Sequence, residues 1–126
     1  MTYTVADLDE LEPGGPGGMV RLVRKALGTR AFGCNYFTLP PGQEGREHDH
    51  EESGQEEVYF VVRGRITFKI GADVFEAGPE TAVRIAPGAL RSIHNDTSEE
   101  AEVILCSVRV EDLEGEVETE DGFWPG

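Results

Sequence analysis

The feature that most limits the fold of this chain is a repeated alternation of short apolar runs and turn residues. Runs rich in β-branched and aromatic residues recur, with Gly, Pro, Asn or Asp between them at roughly eight- to twelve-residue intervals. No long segment has the 3.6-residue apolar period of an amphipathic helix. In "RITFKI", Ile66, Phe68 and Ile70 alternate with polar residues and would share one face of a strand. The pattern predicts an all-β single domain, a sandwich or a barrel.

The turn signals divide the chain into predicted strands. These are the runs 19–27, 30–39, 56–62, 65–70, 73–77, 81–86, 91–95 and 101–110. The Arg63-Gly64 pair predicts a hairpin that joins the third run to the fourth. We therefore expect an N-terminal lead-in over 1–18, in which "VADLDEL" can form one or two short helical turns, and a β-domain over 19–110. An acidic C-terminal tail follows over 111–126, with seven acidic residues and no basic one.

Charge excludes two classes of partner. The chain of 126 residues has 25 acidic and 11 basic residues, for a net charge of -14. Such a surface repels phosphate backbones and anionic lipid, so we expect neither nucleic acid nor a membrane as a partner. The N-terminus lacks the basic and apolar segments of a secretory signal, which predicts a cytoplasmic protein. The two cysteines, Cys34 and Cys106, are expected to be buried free thiols, although a single bridge between them stays open.

Two of the three histidines lie one residue apart in "REHDHEE". In an extended segment His48 and His50 would point to the same side, with Asp49 turned away. Two neutral imidazoles side by side can bind one metal ion, and a nearby carboxylate can complete the set. A solvated loop is the alternative, because seven acidic residues lie between positions 44 and 57.

The surroundings of the pair resemble the first motif of the cupin superfamily. Gly42, five residues, His48-Asp49-His50, then Glu57, six residues and Gly64 match its order. Six residues, "EESGQE", stand where the motif has three or four, and we place this insertion in a loop.

A second cupin motif is matched less well by "EAGPETAVRIAPGALRSIHN". Pro87-Gly88 and Asn95 keep its rhythm. Glu80 stands at the motif glycine, and Ala86 stands at its first proline. Arg91 stands where the fourth metal-binding histidine belongs.

The resemblance implies a jelly-roll β-barrel with a ligand cavity in its mouth, and often a homodimer. It also implies a metal site formed by His48, His50 and Glu57. Two histidines and one carboxylate form the facial set of non-haem Fe(II) oxygenases, and the same ligands accept Mn, Ni or Zn. The apolar run "VILCSVRV" is a candidate outer face for the dimer contact.

Arg91 leaves two arrangements open. It can point into the cavity and hold an anionic ligand that also touches the metal, or it can pair with Glu57 in a site without metal. His94 is a candidate replacement for the missing ligand, although a regular strand would turn it away from the site.

Further residues are candidates for the cavity. Tyr59 shares the face of Glu57 and is either a hydrogen-bond donor to a ligand or a core residue. Cys34, Tyr36 and Thr38, with Phe32, share one face of the run before "PPG" and either line the cavity or only pack.

Three functions compete on this reading. We favour a cupin domain that binds a small, anionic ligand, with a divalent metal as its cofactor. The alternative is a metal-dependent oxygenase or isomerase. The third is a metal-free structural barrel. No serine or cysteine has a plausible histidine base outside the His48–His50 pair, so nucleophilic catalysis without metal has no support.

Overall fold

The fold is that of a computed structural model in which residues 2–52 and 54–109 are described. The acidic tail predicted over 111–126 lies outside the described residues. The strands of the described part are β1 (Val20–Arg21), β2 (Gly33–Leu39), β3 (Gln55–Arg63), β4 (Ile66–Ile70), β5 (Asp73–Ala77), β6 (Thr81–Ile85), β7 (Arg91–His94) and β8 (Ala101–Arg109). The helices there are α1 (Val23–Leu27) and two 3₁₀ helices, Leu8–Glu10 and Pro16–Gly18.

The strands form two antiparallel sheets. One has the order β1-β2-β8-β3-β6, and the other has the order β5-β4-β7. This arrangement confirms the predicted all-β jelly-roll fold. None of the helices in the described part of the chain is long and apolar enough to cross a membrane.

The core between the sheets confirms the faces predicted for β3 and β4. Tyr59 and Val61 are buried with Glu57 on one face of β3, and Ile66 and Phe68 are fully buried on β4. The Phe68 ring meets the Tyr59 ring edge-to-face, with centroids 5.6 Å apart. The inward face of β3 therefore carries the apolar side chains of Val61 and Tyr59, and the carboxylate of Glu57 follows them on the same face.

The N-terminal region departs from the prediction in one place. A single 3₁₀ turn forms at Leu8–Glu10, inside the segment expected to form short helical turns. The run 19–27 was predicted to be a strand, but only Val20–Arg21 is extended and Val23–Leu27 is helical. The apolar residues Val23, Ala26 and Leu27 have helical spacing, and Val23 is the one that is buried. Gly28 ends the helix in the left-handed region.

The predicted hairpin between β3 and β4 is wrong. β3 pairs with β6 and β8, whereas β4 pairs with β5 and β7, so the two strands lie in different sheets. Because both edges of β3 are already occupied, the chain turns at Gly64 from one sheet to the other. Gly64 has a φ of 73°, and a Cβ there would lie 2.7 Å from the Glu100 carbonyl oxygen. The turn signal was correct, but the pairing depended on strands distant in the sequence.

The two cysteines face each other across β2 and β8. Cys34 and Cys106 are cross-strand partners, and their sulfur atoms are 3.9 Å apart as free thiols. Burial, and then the neighbouring Cys106, raise the pKa of the Cys34 thiol to about 11. The thiols are half-buried on the outer face of the five-stranded sheet, so they do not belong to the core between the sheets.

The turn at Gly64 generates a stability prediction. We expect Gly64→Ala to lower the free energy of unfolding by about 3 kcal/mol or more, since left-handed strain of about 1–2 kcal/mol adds to a clash with backbone atoms. Gly71→Ala is the matched control, because Gly71 has a φ of 58° but open space at its Cβ position, and it should lose only the strain. Urea unfolding followed by circular dichroism measures both. Equal losses in the two variants would contradict the close approach at Gly64.

Candidate metal and ligand site

The segment that carries the histidines is held by backbone hydrogen bonds beside β7. His48 and Arg91 exchange two of these bonds, at 2.9 and 2.8 Å, and the His50 amide donates to the Pro87 carbonyl at 2.8 Å. The two imidazole rings lie on one side, as predicted, with centroids 5.1 Å apart and planes at 80°. A turn closed by the Gly54 amide on the His50 carbonyl leads into β3. The site is therefore assembled from strands of both sheets.

Glu57 places a carboxylate opposite both rings. Its side chain is only 3% exposed. Oε2 lies 3.2 Å from His50 Nε2, and Oε1 lies 3.9 Å from His48 Nε2. One ligand atom from each of the three residues lies within 4.8 Å of the others. Among the described residues this is the only group of three or more His, Cys, Asp or Glu side chains with that spacing.

The chemistry of these donors fits a cation. Nδ1 of His48 lies 3.0 Å from the Arg46 carbonyl oxygen, which can only accept, so the contact favours the tautomer with the proton on Nδ1. The lone pair of Nε2 then faces the carboxylate. Metal-bound histidines in proteins are oriented in this way, by a hydrogen bond from the nitrogen that does not bind the metal.

Arg91 lies behind the carboxylate and is completely buried. Its Nε is 3.3 Å from Glu57 Oε1, but the two are not aligned for a hydrogen bond, so the contact is an ion pair. Its terminal nitrogens donate to the carbonyls of Pro87 and Ala86, at 3.2 and 3.0 Å. Arg91 therefore pairs with Glu57, as in the second of the two arrangements that the sequence left open. A single nitrogen of the guanidinium, Nε, faces the carboxylate.

The two remaining candidates occupy different places. Tyr59 is 2% exposed, and its hydroxyl donates to Glu57 Oε1 at 3.4 Å. Burial, and then the charge of Glu57, raise the pKa of Tyr59 well above its ordinary value, so the phenol keeps its proton. His94 pairs through its backbone with Thr67 and Glu44 and is not a member of the cluster of three.

A cavity of about 450 Å³ opens beside the three ligand atoms. His48, His50, Glu57 and Tyr59 form one part of its wall. The apolar part of the wall comes from Met19, Val20, Phe37, Ile93 and Leu105. A polar part comes from Asn35, Gln55 and Ser107, and Arg46 lies at the exposed margin. A mostly apolar cavity with a few convergent polar groups is the usual form of a small-molecule site.

The residues of β2 that line the cavity differ from the candidates that the sequence suggested. Cys34, Tyr36 and Thr38 were candidates for the cavity wall, but Asn35 and Phe37 line it instead. The hydroxyl of Tyr36 donates to Glu102 on the opposite face of the sheet. Both faces of this strand carry aromatic residues, so alternation alone could not orient it. The usable signal was Leu39, which shares the face of Asn35 and Phe37 and is fully buried.

Known families and structures match the chain along most of its length. The family model for the cupin domain matches residues 35–108. No curated protein matches the chain. A crystal structure of a cupin protein from Bacteroides fragilis is 19% identical, with a TM-score of 0.77, and covers 100% of this chain and 99% of its own.

Two further crystal structures carry functional descriptions of their own. A predicted oxalate decarboxylase from Thermotoga maritima is 22% identical, with a TM-score of 0.70, and covers 84% of this chain and 99% of its own. A sugar phosphate isomerase from a cupin superfamily, from Silicibacter pomeroyi, is 21% identical, with a TM-score of 0.67, and covers 83% of this chain and 75% of its own. At these identities the three structures show the shared fold.

The buried ion pair generates a prediction. We expect Arg91→Leu to lower the free energy of unfolding by about 3–5 kcal/mol, because Glu57 and two carbonyls lose a buried partner. Arg84→Leu is the matched control: it breaks a pair with Glu56 in which the arginine is 64% exposed, and should cost less than about 1 kcal/mol. Urea unfolding measures both variants. A loss in Arg91→Leu no larger than the control would show that the guanidinium is dispensable to the fold.

Proposed function

Because this chain belongs to the cupin family, we propose that it binds a small anionic ligand in its cavity, beside a divalent transition metal held by His48, His50 and Glu57. The observation that carries the proposal is the convergence of three ligand atoms within 4.8 Å at the wall of the cavity. The neutral imidazoles and the carboxylate accept Fe, Mn, Ni or Zn. When bound, such an ion supplies a Lewis acid for an anionic oxygen of the ligand.

The protein's own residues support this role in separate ways. The Arg46 carbonyl orients the His48 ring, and the Tyr59 hydroxyl donates a hydrogen bond to Glu57. The apolar part of the wall excludes water, which strengthens the attraction between the site and an anion. Arg91 opposes the metal, because a guanidinium at Glu57 offsets the charge of that carboxylate. We therefore expect a weaker metal site than one in which a fourth ligand replaces the arginine.

A metal-dependent oxygenase or isomerase is the second candidate. Its supporting observation is that the ligands approach from one side of the cavity, which leaves positions open for a substrate. Relatives by fold include the proteins described as a predicted oxalate decarboxylase and a sugar phosphate isomerase. The third candidate, a metal-free barrel, is supported by the Arg91–Glu57 ion pair, which neutralises the buried carboxylate without an ion.

Metal content tests the proposal directly. We expect the purified protein to carry Fe, Mn, Ni or Zn in near-stoichiometric amount, and His50→Ala to lose it, because one of three donors is removed. His94→Ala is the matched control, since the third histidine of the chain lies outside the cluster, and it should keep the metal. Elemental analysis by mass spectrometry provides the measurement.

Arg91→His separates the candidates. If the ion appears only in this variant, the arginine has displaced the metal, and the metal-free barrel replaces our proposal. If the wild-type protein holds metal, oxygen uptake and isomerase assays on small carboxylates and sugar phosphates distinguish an enzyme from a binding protein.

We also propose that the protein is a homodimer through the outer face of the five-stranded sheet. Phe60 is 43% exposed on this face, and its cross-strand partners are Ala82 and Ile104. Val58 and Cys106 extend the apolar surface along the same two strands. An apolar surface of this kind, rimmed by charged residues, is typical of a protein contact.

Phe60→Glu tests the dimer. We expect the variant to be monomeric, because it places a charge in the apolar contact. Val74→Glu is the matched control, since Val74 is 63% exposed on the other sheet, and it should keep the wild-type mass. Light scattering measures the mass of each. A monomeric wild-type protein, or a dimer unchanged in Phe60→Glu, would contradict this contact.

A further inference from the structure

A second pocket adjoins the cavity beside the histidines. It has a volume of about 490 Å³ and lies at the N-terminal end of β2. Asn35, Gln55 and Ser107 line both the pocket and the cavity. Arg24 and Arg30 line the pocket alone. A ligand that leaves the cavity past the three shared polar residues would therefore meet two guanidinium groups.

Neither Arg24 nor Arg30 forms an ion pair with a residue in the described part of the chain. The structure describes the side chains of eight of the nine arginines. Four of them, Arg63, Arg65, Arg84 and Arg91, form ion pairs with glutamates. A fifth donates to a threonine hydroxyl.

The remaining three, Arg24, Arg30 and Arg46, make no ion pair with a described residue, and all three line the cavity or the pocket beside it. On a chain with 25 acidic residues, three exposed arginines without an ion pair to a described residue are thus grouped around the cavity and the pocket.

Gly33 brings one of these arginines close to the shared wall. A Cβ added at Gly33 would lie 2.7 Å from Ser107 Oγ and 3.9 Å from Arg24 Cδ. The stem of Arg24 therefore passes beside Ser107, over a position that has no side chain. A side chain at Gly33 would therefore collide with Ser107 Oγ, a group that lines both the cavity and the pocket.

Arg91 does not supply the anion contact that the cavity needs. It is completely buried, its terminal nitrogens bind backbone carbonyls, and it does not line the cavity. Recognition of a ligand's charge is then left to the proposed metal ion and to cationic side chains that reach solvent. Arginine suits this role because its planar guanidinium binds carboxylate and phosphate oxygens in pairs.

We propose that Arg24 and Arg30 bind a second anionic group of an elongated ligand. The first anionic group lies in the cavity beside His48, His50 and Glu57, so this inference rests on the proposed function. Asn35, Gln55 and Ser107 provide hydrogen bonds to the polar middle of the ligand. The second group is a carboxylate or a phosphate, and the substrate class is therefore a ligand with an anionic group at each end.

Calorimetric titration of the wild-type protein with matched anions tests the inference. The carboxylate arm compares dicarboxylates of increasing length, beginning with succinate, with monocarboxylates of equal length. The phosphate arm compares phosphoglycolate with glycolate. We expect the best dianion to bind at least about tenfold more tightly than its monoanion, which is the effect of one charge-assisted contact. The arm with the larger preference identifies the second group.

Two double variants test whether Arg24 and Arg30 cause the preference for a ligand with two anionic groups. Arg24→Gln with Arg30→Gln should remove the tenfold preference, because the affinity for the doubly anionic ligand falls much further than the affinity for the monoanion. Arg65→Gln with Arg84→Gln removes the same total charge from pairs at other glutamates and should change neither affinity by more than about twofold. Circular dichroism and urea unfolding of both double variants establish that they are folded.

The outcomes distinguish a failure of the second subsite from a failure of the proposed function. A preference that is absent in the wild-type protein, or that persists without Arg24 and Arg30, overturns the second subsite. Monoanion binding and metal content would still support the proposed function in that case. If the wild-type protein binds no anion and no metal, both the proposed function and the second subsite are overturned.

Discussion

A buried carboxylate with partners from several parts of the chain is the constraint on which the site depends. Glu57 is almost completely removed from water, and a charge in that position is costly unless it is paired. Arg91 from β7, Tyr59 from β3 and the histidine segment all approach its two oxygens. The carboxylate therefore joins the five-stranded sheet to the three-stranded sheet at the mouth of the barrel, and the same contacts orient the donors that face the cavity.

The arginine at position 91 affects how strongly the Glu57 carboxylate can attract a cation. A histidine there would add a neutral donor, whereas the guanidinium adds a permanent positive charge within 3.3 Å of the carboxylate. Two unit charges at about 4 Å interact by roughly 4 kcal/mol at an effective dielectric constant near 20. The protein gains a stable buried pair and gives up part of the attraction that would hold a cation. In the function that we propose, ligand recognition then depends more on the arginines that remain in contact with solvent.

Residue patterns within short segments predicted most of the strands. The errors arose where a segment was too short to show a period or where distant strands decided the pairing. Alternation in β4 placed Phe68 on the buried face correctly, since that strand has one apolar face. In β3 it placed Tyr59 on the face of Glu57 but left open whether the tyrosine binds a ligand or packs in the core. Alternation misplaced the cavity face of β2 because both faces carry aromatic side chains. The helix at Val23–Leu27 was missed because five residues are too few to show a period. The hairpin at Gly64 was wrong because pairing of β3 was decided by β6 and β8.

The amino-acid sequence by itself determined the all-β class, most of the strand positions and the grouping of His48 with His50, because these depend on residue spacing along one strand. The cupin resemblance added Glu57 as their partner and Arg91 as the residue in place of the fourth histidine. Only the tertiary structure decided that the Arg91 guanidinium lies buried behind Glu57 and outside the cavity, and that Asn35, Gln55 and Ser107 line both the cavity and the pocket beside it. Those facts depend on contacts between segments separated by tens of residues, for which spacing along the chain carries no geometric information.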